Sequence, residues 1–410
     1  VAQKIGGAAI GKHLYEEHAD GDPIVFSTGL LTGTLFPATC TSVLTAKSPL
    51  TGKLCHVPVT LKTGLEFKYV GFDAVVIKNA APSPSFLWLH DGVADVADAA
   101  EYWGKDVWET TRAFRAAMGD DLIQTLVIGP AGEKGANLAQ VCCNFWNSAD
   151  RFGLGKLFGQ KNLKGIGLRG MGLLECSDPE EFAVASLDVL DEIKSGAASG
   201  KAGLGDLAAA MGEKDLAQWM APLVHRHSAD YNTPFPSNTF LYTDADPNTL
   251  AEPDDEEPGV LVTDVFALLN FKKMGLSIED TGRLLKACAR TGLDPAAVAE
   301  VSAAAGKTGA ADIEASLDGL DGTPTLEEPG IFSPYCPAKP LFGDFGGAAE
   351  DRAGWWERRQ ALAYTFGLHP LFAVMSPEIS EDSLIDIMDI GTGIAIDAGT
   401  LDQVVSYLRG

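Results

Sequence analysis

The stretch G-L-G-K-L-F-G-Q-K-N-L-K-G-I-G-L-R-G, Gly153 to Gly170, decides how this chain is read. Six glycines stand here among apolar and basic residues. Without a Cβ, such a run suits close approach of backbone to backbone, or of backbone to a bulky anion. The spacing of Gly153, Gly155 and Gly159 is G-x-G-x-x-x-G, not the G-x-G-x-x-G of a dinucleotide fold. Two further glycine-punctuated stretches precede it, Gly29 to Gly52 (G-L-L-T-G-T-L-F-P-A-T-C-T-S-V-L-T-A-K-S-P-L-T-G) and Tyr102 to Thr110 (Y-W-G-K-D-V-W-E-T).

Around these stretches the N-terminal part reads as strand-rich. I-V-F-S-T, S-V-L-T-A, F-D-A-V-V-I-K, S-F-L-W-L-H and L-I-Q-T-L-V-I are apolar or alternating runs bounded by Gly, Pro and Asp. Two helices are expected among them, the clearer running from Ala97 to Met118 and carrying both Trp103 and Trp108. From Asp178 the period becomes helical, first over Pro179 to Lys194, then around 262–275, 280–305, 353–366 and from Ser380 onward. Acidic, proline-rich 244–259 and Gly/Pro/Asp-rich 308–347 read as irregular connections. The expectation is an α+β protein with a β-rich domain over 1–175 and mainly helical structure over 176–410.

The chain has 410 residues, enough for two or three cores. Its formal charge of −25 would repel phosphate backbones and anionic lipid, so nucleic-acid binding is disfavoured. There is no apolar run long enough to span a bilayer, so no membrane insertion is expected. The first residues lack the layout of a secretory signal, and the cytoplasm is the expected compartment. The chain opens at Val1 rather than methionine, which leaves a preceding segment open. Seven cysteines include no C-x-x-C, which argues against a disulfide framework and against a thiolate metal cage. Cys142-Cys143 reads as part of a buried strand, and Cys55-His56 as strand packing.

In order and spacing, these motifs resemble the aldehyde ferredoxin oxidoreductases, a family of tungsten or molybdenum bis-pterin enzymes. The likeness includes Ile5 to Gly11, Tyr69 to Ile77 and Ile128 to Glu133, then weaker turns near Leu276–Gly282 and Phe366–Leu368. The resemblance implies that a pterin would be gripped by Arg151, Gly153, Gly155, Lys161, Asn162 and Lys164. On the structural alternative these residues only build the fold, with the glycines in tight turns and Lys161 and Lys164 solvated.

The family's ligands are where the sequence departs. Its enzymes hold a four-iron cluster with C-x-x-C-x-x-x-C and a distant fourth cysteine, because iron–sulfur clusters demand thiolates. Asn232, Phe235, Thr239 and His369 stand at those positions. Ser277 and Tyr364 replace the aspartates of the two pterin turns, Ala8 and Thr41 replace two arginines, and Thr60-Leu61 replaces a glycine pair. His225, His227 and Asp230 could approach a metal, but they read as an exposed polar stretch. No metal site is therefore assigned, and the expectation is no cofactor, with an altered tungsten- or molybdenum-bis-pterin as the alternative.

The functional expectation is a catalytically silent homologue kept as a structural subunit beside an oxidoreductase or electron carrier. The alternative is an enzyme that oxidises aldehydes or related carbonyls at an altered pterin site. The family's frequent dimerisation leaves an oligomer open.

Overall fold

A computed structural model describes residues 2–196, 198–243, 258–325, 332, 352–371, 376 and 378–410. Among these residues the fold is α+β, with three sheets and helices on and between them. The strands are β1 Ile24–Thr28, β2 Ser42–Lys47, β3 Leu54–Val59, β4 Ala74–Ile77, β5 Ser85–His90, β6 Val93–Asp98, β7 Gln124–Val127, β8 Cys142–Cys143, β9 Leu163–Arg169, β10 Val224–Ser228, β11 Asn238–Tyr242 and β12 Gly259–Val262. The helices of the first half are α1 Gly7–Glu17, α2 Leu61–Tyr69, α3 Val107–Met118, α4 Pro130–Glu133, α5 Leu154–Gln160 and α6 Pro179–Ser195. Those of the second half are α7 Gly203–Ala210, α8 Leu216–Met220, α9 Val265–Lys273, α10 Ile278–Thr291, α11 Pro295–Ala304, α12 Ala310–Ser316, α13 Arg352–Phe366, α14 Glu381–Thr392 and α15 Ala398–Arg409.

The first sheet has the order β3-β2-β1-β4, every neighbour antiparallel. All five β1 residues are buried, which is why this strand reads as a continuous run and not an alternation. Helix α1 lies on this sheet and is pinned to it by the Ser27 hydroxyl, which donates to the Gly7 carbonyl at 2.8 Å. The second sheet has the order β6-β5-β9-β7-β8, and its β5–β9 pair is parallel. The third, β10-β11-β12, is antiparallel and belongs to the second half of the chain. One apolar cluster lies within residues 24–168, while a larger one runs through both halves.

Helix boundaries follow the capping residues. Asp106 forms a capping box with Glu109, so α3 begins at Val107 and not at Ala97. Ala97 and Asp98 close strand β6 instead, and Trp103 sits in a turn while Trp108 is fully buried in α3. The stretch read as one helix over 280–305 is two, because Gly292 turns left-handed at φ 73° and Asp294-Pro295 starts α11. Part of 308–347, read as irregular, contains α12, and its residues 326–331 and 333–347 lie outside the described residues. Residues 244–257 lie outside them as well. Among the described residues no helix is long and apolar enough to cross a membrane.

His56 on β3 is buried inside the first sheet, its Nδ1 2.9 Å from the Thr45 hydroxyl and its ring stacked on Phe332. Burial penalises the imidazolium and pushes its pKa down to about 3. A histidine depressed in the folded state adds stability above its unfolded value, and loses it as pH falls. From about pH 6.5 downward this group alone should therefore cost about 1.4 kcal/mol per pH unit. Urea unfolding at pH 7 and pH 5 should show a shallower loss for His56→Asn than for the native chain.

Candidate functional site

The glycine-rich turn before α5 is organised by Asp150. Its carboxylate is buried and accepts four backbone N–H groups: Phe152 at 3.0 Å and Leu154 at 3.2 Å on Oδ1, Gly155 at 3.1 Å and Val141 at 3.2 Å on Oδ2. Gly153 caps the helix at φ 77°, a conformation that costs glycine least. A Cβ on Gly155 would stand 2.6 Å from the Gln140 carbonyl, so the helix can seat only with glycine there. Donors that could face an anion are thus satisfied by the chain's own carboxylate. Desolvation outweighs these hydrogen bonds and raises the Asp150 pKa to about 6.

The cationic candidates are partnered in the same way. Arg151 forms ion pairs with Asp264 and, at 3.9 Å, with Asp294, and lies over the Phe266 ring. Asp264 and Asp294 are the N-caps of α9 and α11, so this arginine ties the glycine turn to the helical half. Burial raises the Asp294 pKa to about 6 despite the guanidinium beside it. Lys164 is fully buried, donating to Glu133 at 2.5 Å and to the Lys105 carbonyl at 2.8 Å. Lys161 is buried and donates to the carbonyls of Asp22 at 2.6 Å and Asn79 at 3.2 Å. Neither lysine is solvated, contrary to the structural alternative above, because each reaches inward to main-chain oxygens, and Lys164 to a carboxylate as well. Desolvation lowers both of their pKa values. Asn162, left-handed at φ 55°, donates to the Ala81 carbonyl at 2.7 Å.

The positions where the family carries ligands do converge in part. Ala38 donates its N–H to the Asn232 carbonyl at 2.8 Å, and its carbonyl accepts the His369 N–H at 2.7 Å. His369 Nε2 lies 3.1 Å from Asp230 Oδ2, and Asp230 also accepts from Asn238 at 2.9 Å and from the Leu61 N–H at 3.4 Å. His369, Thr60, Arg151 and Asp264 line one cavity of about 30 Å³. That is room for roughly one or two waters, against about 300–1,000 Å³ for a typical organic ligand. His369 Nδ1 has no partner among the described residues, and a water here would satisfy it.

The remaining positions serve packing. The Asn232 amide donates to the carbonyls of Leu35 at 2.7 Å and Phe36 at 2.8 Å. Phe235 is core, and the Thr239 hydroxyl accepts the Leu204 N–H at 3.1 Å and lies 3.1 Å from His227 Nδ1. Ser277 caps α10, and Tyr364 is fully buried with its phenol pushed upward by desolvation. His225 tilts onto Tyr242 with ring centroids 4.2 Å apart, away from a shared site with His227. Cys40, Cys55, Cys142, Cys143 and Cys288 are buried, and burial raises each thiol. Among the described residues no three of His, Cys, Asp and Glu group to hold a metal ion. An amide, a phenyl ring, a hydroxyl and a carboxylate-paired imidazole do not fit the thiolate set of an iron–sulfur cluster. Nor do cations already facing aspartate, glutamate and carbonyls fit an anionic bis-pterin.

Sequence reasoning missed Asp150, Glu133, Asp264 and Asp294. Three of them carry a visible signal: Asp150 stands just ahead of a glycine-led helix, Asp264 and Asp294 at helix starts.

An antiparallel sheet covered by α1, a second sheet and its glycine turn, and a helical half make up the scaffold on which these residues sit. Residues 2–170 match the family described as aldehyde ferredoxin oxidoreductase, N-terminal domain. That match is to an N-terminal domain and covers less than half of the chain's 410 residues. Tungsten-containing aldehyde ferredoxin oxidoreductases of Pyrococcus abyssi and Pyrococcus horikoshii are 36% and 34% identical over 177 residues, 43% of this chain and 29% of each relative. An aliphatic sulfonate oxidoreductase, WOR-like subunit, of Pyrococcus furiosus is 29% identical over 214 residues, 46% of this chain and 34% of that protein. The match thus spans about a third or less of the length of these curated relatives. Over the whole chain the fold is shared with the active site complex BamBC of benzoyl coenzyme A reductase in complex with 1,5-dienoyl-CoA. That likeness has a TM-score of 0.77 at 16% identity and covers 100% of this chain and 84% of the other.

Asp150→Asn would turn an amide N–H₂ toward two backbone donors. It should lower unfolding stability by about 2–4 kcal/mol, measurable by urea denaturation.

Proposed function

We propose that this chain is a family member without the four-iron cluster and the pterin, acting as a non-catalytic subunit of an oxidoreductase or electron-transfer complex in the cytoplasm. The carrying observation is internal neutralisation: the cations and N–H groups that would grip an anionic cofactor already hold Asp150, Asp264, Asp294 and Glu133. The cavity beside Arg151 and Asp264 measures about 30 Å³. The subunit reading draws support from the name of one similar protein, a WOR-like subunit, and from the fold shared with the active site complex BamBC. Association, on this reading, is the selected property, and the domain of residues 1–175 is kept for its shape.

Elemental analysis of the natively purified chain, separated from its partners, tests this. Tungsten, molybdenum and iron should each stay far below one atom per chain, while native purification without separation should recover a second polypeptide. Stoichiometric tungsten or molybdenum on the separated chain would overturn the proposal and favour an altered pterin enzyme oxidising aldehydes.

A further inference from the structure

A second, far larger space also borders the β10–β12 sheet, and no family motif contributes to it apart from Leu61. It is a cleft of about 730 Å³ between α3, the first turn of α2, the turn after β8 and the third sheet. Among the described residues its lining carries four cations, Lys62, Arg112, Arg115 and Arg226, against one carboxylate, Asp121. In a chain of net charge −25, that local reversal of sign focuses anions on this one place.

The three arginines are held in position before any ligand arrives. Arg112 and Arg115, one turn apart on α3, both lie over the Phe145 ring, at 5.7 and 5.0 Å. Arg115 is fixed further by donating Nε to the Ile123 carbonyl at 2.8 Å and an Nη to Asn144 Oδ1 at 3.3 Å. Asn144 is itself locked, left-handed at φ 54°, by the Thr125 N–H at 2.9 Å and by Gln124 at 2.8 Å. On the facing sheet Arg226 stacks over Phe240 at 5.2 Å, and Phe240 meets Trp146 edge to face. Guanidiniums fixed on rings lose little further freedom on binding, which favours recognition of phosphate over a loose surface charge.

The cleft is too large for a bare phosphate, and its lining is not uniformly polar. Leu122, 63% exposed, and Leu261 offer apolar surface beside the arginines. The volume lies within the range of pockets that take small organic ligands. We propose that this cleft binds an amphipathic organic phosphate of about nucleotide size, its phosphates against Arg112, Arg115, Arg226 and Lys62 and its ring or apolar body against Leu122 and Phe240. Such binding does not depend on whether the chain carries a metal cofactor.

Isothermal titration calorimetry of the full chain with ADP tests it, with pyrophosphate and adenosine as part-ligands and a glutamate-rich peptide as the rival occupant. ADP should bind once per chain and more tightly than either part. Arg226→Ala and Lys62→Gln, both at exposed positions, should each weaken it about tenfold without moving the melting temperature. Arg283→Ala, which removes an exposed pair with Asp280 outside the cleft, should leave binding unchanged. The proposal is overturned if ADP does not bind, if pyrophosphate binds as tightly as ADP, if the glutamate peptide alone binds, or if the cleft variants bind ADP like the native chain.

Discussion

The N-terminal half turns on one buried carboxylate. Asp150 gathers four backbone N–H groups from the segment that leads into α5 and from the strand side at Val141. Each of those donors would otherwise be buried without a partner, at a cost of roughly 1–3 kcal/mol. Because one residue meets all four, the turn can be tight, Gly155 can press on the Gln140 carbonyl, and Arg151 is left aimed at the helical half. Helix α5 and strand β9, next along the chain, inherit their place from that junction. The arginine then carries the same constraint outward, since the aspartates it meets are also the caps that start α9 and α11.

A pattern of substitution by internal charge runs through the molecule. Lys164, Lys161 and Arg151 are cations drawn out of water, which is costly unless each is met by acceptors. The acceptors are supplied within the chain: Glu133 and the Lys105 carbonyl for one, two carbonyls for the next, two carboxylates for the third. Such pairs are poor contributors to net stability, yet each penalises any rearrangement that would leave one partner alone. That asymmetry makes the region rigid as it stands.

Much of this fold was legible in the sequence, and the exceptions have physical reasons. Strands β1, β2, β5 and β7 are largely buried on both faces, which continuous apolar runs report directly. Val93–Asp98 escaped because it is an exposed edge strand with no apolar face to betray it. The start of α3 was misplaced because alanines and acids over 97–106 resemble a helix, and only the capping geometry of Asp106 decides the matter. At the candidate site the partners of the six residues were not foreseeable. Asp264 and Asp294 are over a hundred positions from Arg151, and no local pattern announces a pair at that separation. The solvated reading of Lys161 and Lys164 failed for a related reason: lysine is so seldom buried that composition points outward until a carboxylate or carbonyl is found inside.

Ala38 carries a consequence of a different kind. It joins the Asn232 and His369 segments entirely through main-chain atoms, donating to one and accepting from the other. A junction made by backbone does not care which side chains flank it. Positions 232 and 369 can therefore carry different side chains while the loops that present them stay where they are. The architecture here is thus insulated from the chemistry of its side chains, held by atoms that every amino acid shares.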